Sequence, residues 1–255
     1  MRIVVKVGTS TLAHPTGKLN VQRTRALCET LSDLKNAGHE IVLVSSGAIG
    51  MGVGKLGLKS RPEDIPTKQA AASVGQCELM YAYDRIFAEY SHTVGQILIT
   101  GADFTHQDRL ENFVNTISRL LQLGVLPIIN ENDTIATDEI KVGDNDTLSA
   151  HVAVYTKADL LVVLTDIDGL YTGDPKKDLA AKKIDVVEEI TEETFALAGG
   201  EGSSLGTGGM VTKLRAANIC TAAGCDMIIA NGKTPDVLYA AVRGECVGTK
   251  FLAKK

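Results

Sequence analysis

Apolar positions in this chain fall in short, nearly unbroken runs that alternate with stretches of helical period. The runs are Arg2–Val7, Glu40–Ser45, Thr93–Thr100, Val125–Asn130, Leu160–Thr165, Asp226–Ala230 and Thr249–Ala253. They are rich in Val, Ile and Leu and show little polar alternation, the pattern of parallel strands covered on both faces. Between them, Asn20–Ala37 carries Val21, Leu27, Leu31 and Leu34 on one stripe and stops at Gly38. Asp108–Leu123 carries Leu110, Phe113, Val114, Ile117, Leu120 and Leu121 in the same manner. Pro66 stands where a long helix reaching Ala88 can begin. Thr147–Tyr155 is a shorter helical stretch, and Met210–Ala223 starts after glycines and ends at Gly224. The alternation predicts an α/β fold, a three-layer α/β/α sandwich on a largely parallel central sheet. No linker, repeat or low-complexity tract breaks it. A single domain over residues 1–255 is expected, with two functional halves meeting near residues 155–165.

Ligands of open parallel sheets lie beyond the carboxyl ends of the strands. Lys6, Ser45-Ser46-Gly47, Asn130 and Thr165-Asp166 all fall at such ends. Two lysines stand out among them and beyond. Lys6 opens Lys6-Val7-Gly8-Thr9-Ser10, and Lys213 closes Gly206-Thr207-Gly208-Gly209-Met210-Val211-Thr212-Lys213. Glycine loops bring backbone N–H groups close to a ligand, a helix start adds partial positive charge, and a lysine adds a mobile full charge. Two such loops facing one another would bracket a phosphoryl group in transit, which points to a small-molecule kinase.

The glycine-rich segments narrow the type of kinase. In Gly47-Ala48-Ile49-Gly50-Met51-Gly52-Val53-Gly54 the dinucleotide fingerprint fails on register, because Lys55 stands where the third glycine is needed. That segment is a phosphate-facing or substrate-facing loop, or a tight strand-to-helix turn. Ser46 within it either binds a small ligand or caps the helix. No GxxxxGK spacing occurs, and HRD and DFG are missing, so neither a P-loop kinase nor a protein kinase is indicated.

Ile129-Asn130-Glu131-Asn132-Asp133 follows an apolar strand, and Gly143-Asp144-Asn145-Asp146 precedes a helix. Solvated turns and helix capping account for some of these residues. Recognition of an amino group accounts for Asp133 and Asn145, since it needs carboxylate and amide acceptors. Asp146 is placed to hold both loop lysines by charge. At ~4 Å and an effective dielectric near 20 each attraction is about 4 kcal/mol before desolvation. Thr165-Asp166-Ile167-Asp168-Gly169-Leu170-Tyr171 offers hydroxyl, carboxylate and apolar contacts to a nucleotide, or is an ordinary Asp-Gly turn.

Composition removes several alternatives. Net charge is −5, the isoelectric point is near 5.6 and Trp is absent, which disfavours a nucleic-acid binder. Five cysteines, an odd number without CxxC spacing, argue against a disulfide framework or a zinc site and for buried or partly buried thiols. The five histidines lack metal-ligand spacing. The acidic run at Glu188-Glu189 and Glu192-Glu193 reads as a solvated face. The chain opens on a strand pattern, and no apolar run reaches membrane-spanning length, so a cytoplasmic protein is expected.

Taken in order, these segments resemble the amino-acid kinase family along essentially the whole chain. The residues that carry the resemblance are Lys6 through Ser10, Val44 through Ile49, Ile129 through Asp133, Lys141 through Asp146, Leu164-Thr165-Asp166, Gly169 through Thr172 and Gly206 through Lys213. The specific part is the combination of INEND, KVGDND and GTGGM. The resemblance, closest to the branch that acts on L-glutamate, implies a sheet of about eight strands. ATP would lie over the C-terminal half and the amino acid over the N-terminal half. The implied reaction phosphorylates the glutamate side-chain carboxylate to glutamyl 5-phosphate, the first step of proline biosynthesis.

Carried over by the resemblance, Lys6 and Lys213 stabilise the transferring group and Asp146 organises both. Ser46, Asp133 and Asn145 bind glutamate. Lys6, Thr165, Asp166, Thr207, Gly208, Gly209, Met210, Val211, Thr212 and Lys213 bind ATP, with Mg2+ carried largely on its phosphates. Proline as feedback inhibitor, a homo-oligomer (dimer or tetramer) and no nucleic-acid or membrane partner are further expectations. Many members carry an additional C-terminal PUA domain, and here the resemblance ends with the kinase portion. A carboxylate nucleophile is already ionised at pH 7, so alignment and charge neutralisation suffice and no general base is needed. Sibling reactions on acetylglutamate, aspartate, carbamate or UMP, and a non-catalytic sensor of the same fold, stay open. The six glycines between Gly199 and Gly209 are expected to make that segment mobile without nucleotide.

Overall fold

The computed structural model describes residues 1–14, 16–136, 145–175, 178, 180–198 and 209–254. Its strands are β1 (Arg2–Val7), β2 (Glu40–Val44), β3 (Val94–Ile99), β4 (Leu126–Glu131), β5 (Leu160–Thr165), β6 (Val186–Val187), β7 (Asp226–Asn231) and β8 (Thr249–Phe251). The helices, numbered among the described residues, are α1 (Thr9–Leu12), α2 (Val21–Asn36), α3 (Ala48–Leu56), α4 (Ile65–Ala88), α5 (Gln107–Gln122), α6 (Asn145–Tyr155), α7 (Glu192–Leu197), α8 (Met210–Ala222) and α9 (Val237–Val242). A 3-10 turn over Gly101–Thr105 precedes α5.

The strands form one sheet in the order β3-β4-β2-β1-β5-β7-β8-β6. Pairing is parallel from β3 through β7, β8 runs antiparallel to β7, and β6 is parallel to β8. The chain goes from β1 to β2 on one side and later from β5 to β7 on the other. The order therefore reverses between β1 and β5, where doubly wound sheets open a ligand crevice. All seven strands expected from the apolar runs are present, with ends shifted by no more than two residues. The two-residue β6 was missed because it has no apolar run of its own.

Two cores cover the sheet. Ile3, Val5 and Val7 of β1 face α2, α4 and α9, with Leu27, Leu31, Leu79, Tyr83, Phe87 and Leu238. Val4 faces the other layer, built from α5, α6 and α8, with Phe113, Leu148, Val152, Leu214 and Ala217. Side chains alternate along a strand, so Lys6 shares the face of Val4 and points into the layer of α6 and α8. Along helices the stripe is i, i+4, i+7. Asp146 lies on the buried stripe of Ala150 and Ala153, and Lys213 on that of Ala217 and Cys220.

The cysteines are all free. Cys28, Cys220 and Cys225 are buried as expected, while Cys77 and Cys246 are exposed, which departs from the expectation of buried or partly buried thiols. Glu188, Glu189, Glu192 and Glu193 are exposed, as befits a solvated face. Among the described residues no helix is long and apolar enough to cross a membrane.

Candidate active site

Lys6, Asp146 and Lys213 meet at the carboxyl edge of the sheet. Lys6 Nζ lies 2.7 Å from Asp146 Oδ1, and Lys213 Nζ lies 3.0 Å from Asp146 Oδ2. The Thr212 hydroxyl donates to the same Oδ2 at 2.9 Å. All three charged residues are buried, with 8%, 1% and 6% of their surface exposed. Burial alone would push the Asp146 carboxyl up. The charges of Lys6 and then Lys213, with the hydrogen bonds they donate, outweigh burial and hold it below the ordinary carboxylate range. Two ammonium groups thus share one carboxylate in a buried cluster, an arrangement suited to meeting an anion.

Helix starts at this cluster carry no side-chain cap, as is also true of α5 and α9 elsewhere. Away from it, α2 and α4 are capped by side chains: Asn20 accepts from the Arg23 N–H and Asp64 from the Thr67 N–H. At it, α3 and α8 begin at Gly47 and Gly209, with no side-chain cap. Gly47 has φ +100°, a left-handed turn that a larger residue adopts only with strain. The first N–H groups of both helices remain for a ligand, and the helix dipoles favour an anion.

Beside the charges lies a buried amide network. Asn145, in the first turn of α6, uses Nδ2 to donate to the Ser45 carbonyl at 2.8 Å, to Ser46 Oγ at 2.9 Å and to Asn130 Oδ1 at 3.0 Å. Asn130 Oδ1 also accepts from the Glu131 N–H at 2.9 Å, and Asn130 Nδ2 donates to Gln76 Oε1 at 2.8 Å. Ser45 Oγ and the Tyr83 hydroxyl are 2.9 Å apart. Burial drives the Tyr83 phenol upward, so it stays neutral. The helix α6 starts at Asn145 rather than Thr147, which puts both Asn145 and Asp146 in its first turn.

The geometry thus brings Lys6, Ser46, Asn145, Asp146, Thr212 and Lys213 into one connected cluster. Asp133 sits in the turn after β4, three residues past Asn130, and is half-buried. Thr165 ends β5 and donates to the exposed Asp166 at 3.2 Å. Gly209, Met210 and Val211 form the partly exposed start of α8. Thr207, Gly208 and residues 141–144 lie outside the described residues, as does the glycine segment from Gly199 except for Gly209 itself. Gln76 was not among the residues singled out from the sequence, whereas Asn130 was noted as a polar strand end without a role of its own. The available signal was a polar residue on the α4 stripe otherwise made by Ala72, Leu79, Tyr83 and Ile86.

The amino acid kinase family model matches residues 1–231. The chain belongs to the amino acid kinase family. Among curated relatives, the glutamate 5-kinase of Clostridium tetani is 54% identical over 253 residues, covering 99% of this chain and 95% of that protein. The glutamate 5-kinase of Caldanaerobacter subterraneus is 52% identical over 255 residues, covering all of this chain and 68% of that protein. Among solved structures, an isopentenyl phosphate kinase aligns over 98% of this chain and all of its own, with a TM-score of 0.69 and 18% identity. That likeness supports the amino acid kinase fold expected from the motifs.

Proposed function

We propose that the chain transfers the γ-phosphoryl group of ATP to the side-chain carboxylate of L-glutamate, giving glutamyl 5-phosphate. The observation that carries this reading is the Asp146 carboxylate held between Lys6 and Lys213 at 2.7 and 3.0 Å. The choice of glutamate rests on identity above 50%, over essentially the whole of this chain, to proteins named glutamate 5-kinase.

In this reading Lys6 and Lys213 each face one side of the phosphoryl group as it passes from ADP to the acceptor. Negative charge spreads over its equatorial oxygens in the transition state, and fixed ammonium groups stabilise it without reorganisation. Asp146 keeps both lysines extended toward the same point and tempers their repulsion before ATP arrives. The bare start of α8 supports the ATP phosphates through its N–H groups. The three acceptors of the Asn145 amide NH2 leave Asn145 Oδ1 as the atom that receives the substrate ammonium, with Asp133 as its charge partner. The glutamate carboxylate attacks directly, and no proton need be removed.

Among the described residues no three His, Cys, Asp or Glu side chains cluster as a metal site. Mg2+ in such an arrangement is held mainly by nucleotide phosphates, which is its usual habit. Bound there it neutralises phosphate charge. Feedback by proline, assembly as a dimer or tetramer and a cytoplasmic location go with the same reading.

The test is ADP release with ATP, Mg2+ and L-glutamate in the presence of hydroxylamine, which traps an acyl phosphate as a hydroxamate. N-acetylglutamate, aspartate and UMP run in parallel. Hydroxamate from glutamate alone is the expected result. Turnover of a sibling substrate without glutamate turnover would overturn the acceptor assignment.

A further inference from the structure

Gln76 stands out in the amide network. It is 7% exposed, and its side-chain Nε2 is fully buried with no hydrogen-bond partner. A side-chain amide can often be turned over, exchanging N and O, but this one cannot. Asn130 Oδ1 accepts from the Glu131 backbone N–H, which can only donate. Asn130 Nδ2 must therefore be the donor toward Gln76, and Gln76 Oε1 the acceptor. The spare group on Gln76 is then fixed as an N–H donor. A buried donor left unmade costs about 1–3 kcal/mol, so its retention calls for an acceptor that comes from outside the chain.

The position of that donor is set by close helix packing. A Cβ on Gly52 would overlap the Ala71 carbonyl, and one on Gly75 would overlap that of Ala48. Glycines at both points let α4 lie against the start of α3, directly after Ser46. Gln76 is thereby separated from Asn145 by the single amide of Asn130, with links of 2.8 and 3.0 Å.

We propose that Gln76 Nε2 donates to the α-carboxylate of the acceptor amino acid and is a specificity-determining residue of the substrate pocket. The inference rests on the glutamate reading above. The side-chain carboxylate of glutamate goes to the lysine cluster, and its ammonium to Asn145 and Asp133. The α-carboxylate is attached to the same carbon as the ammonium, so its donor must lie next to Asn145. Gln76 supplies a buried, unpartnered side-chain donor in that place, beside the uncapped N–H groups of α3.

The test is Gln76→Met, which keeps length and loses both the Nε2 donor and the Oε1 acceptor of Asn130, a loss that the 4-aminobutyrate comparison below separates from the first. A hydrogen bond to a charged group is worth about 1.5–3 kcal/mol, so the glutamate KM should rise about 10- to 150-fold. The ATP KM should stay within about twofold by the same accounting, since nucleotide does not use this donor. Inhibition by 4-aminobutyrate, which is glutamate without its α-carboxylate, should be equally strong against both enzymes. If Gln76→Met weakens 4-aminobutyrate and glutamate alike, or leaves the glutamate KM unchanged, the assignment is wrong. Should that variant not fold, Gln76→Glu keeps an acceptor for Asn130 and is judged by the same comparison at alkaline pH. Absence of any glutamate turnover by the unaltered protein would instead sink the acceptor assignment, and this inference with it.

Discussion

Asp146→Asn removes one charge and almost no volume, so its effect isolates the electrostatics of the site. The carboxylate sits 2.7 Å from one ammonium and 3.0 Å from another, and nearly all of it is buried. Without its charge, two buried ammonium groups face each other across a neutral amide. At ~6 Å and an effective dielectric near 20 their repulsion is about 3 kcal/mol. Loss of a buried ion-pair partner costs about 3–5 kcal/mol in folding stability. At about 2–4 °C per kcal/mol, the melting temperature should fall by roughly 6–20 °C. Misaimed lysines should lower kcat about 10²- to 10³-fold, as when one preorganised donor is lost.

Two further readouts mark the cause. Mg-free ATP or sulfate should raise the melting temperature of Asp146→Asn more than that of the unaltered protein, because an anion replaces the missing charge. The folded carboxyl is held below its ordinary range, so its stabilisation is complete above the unfolded carboxyl value and is lost as pH falls through the folded one. The gap in melting temperature between the two proteins should hold steady above about pH 5 and narrow only below about pH 4. Thermal scans across pH, with the hydroxamate assay for kcat, measure all of this. A kcat within about threefold of normal, or a gap that narrows between about pH 5 and 8, would refute the reasoning.

Lys213→Met should reduce kcat about 10²- to 10³-fold with a small change in glutamate KM, since the role proposed for it is to meet phosphoryl oxygens rather than the amino acid; a near-normal kcat in single-turnover measurements would remove it from the catalytic set. Gly75→Ala should lower the melting temperature, because overpacking of about 1–3 kcal/mol or more at the Ala48 carbonyl outweighs the gain of about 1 kcal/mol in helix propensity. A raised melting temperature, as an exposed helical glycine would give, would mean that α3 and α4 separate freely.

Much of the fold was legible because buried parallel strands write themselves as apolar runs. The lysines were legible for a related reason: Lys6 interrupts such a run, and Lys213 follows glycines at a helix start. Asp146 was found as a charge partner from motif spacing, yet its place inside α6 was not, because capping and first-turn positions share the same residue preferences. Gln76 stayed hidden because nothing local distinguishes it. Its significance comes from Asn130, 54 positions away, and from the glycine crossing that only the folded chain displays. The reversed β8 and short β6 are set by tertiary pairing rather than by their own pattern.

The bridge through Asp146 also bears on how the protein is made. Lys6 leaves the ribosome first, Asp146 follows 140 positions later, and Lys213 arrives 67 positions after that. A nascent chain that has delivered only the first two holds one of the two ammonium groups that the carboxylate bridges. Arrival of α8 supplies the second ammonium. At about 5–20 residues per second this interval lasts some seconds. The second ammonium therefore joins the site only when α8 docks, so the lysine pair is completed by the last long helix of the chain.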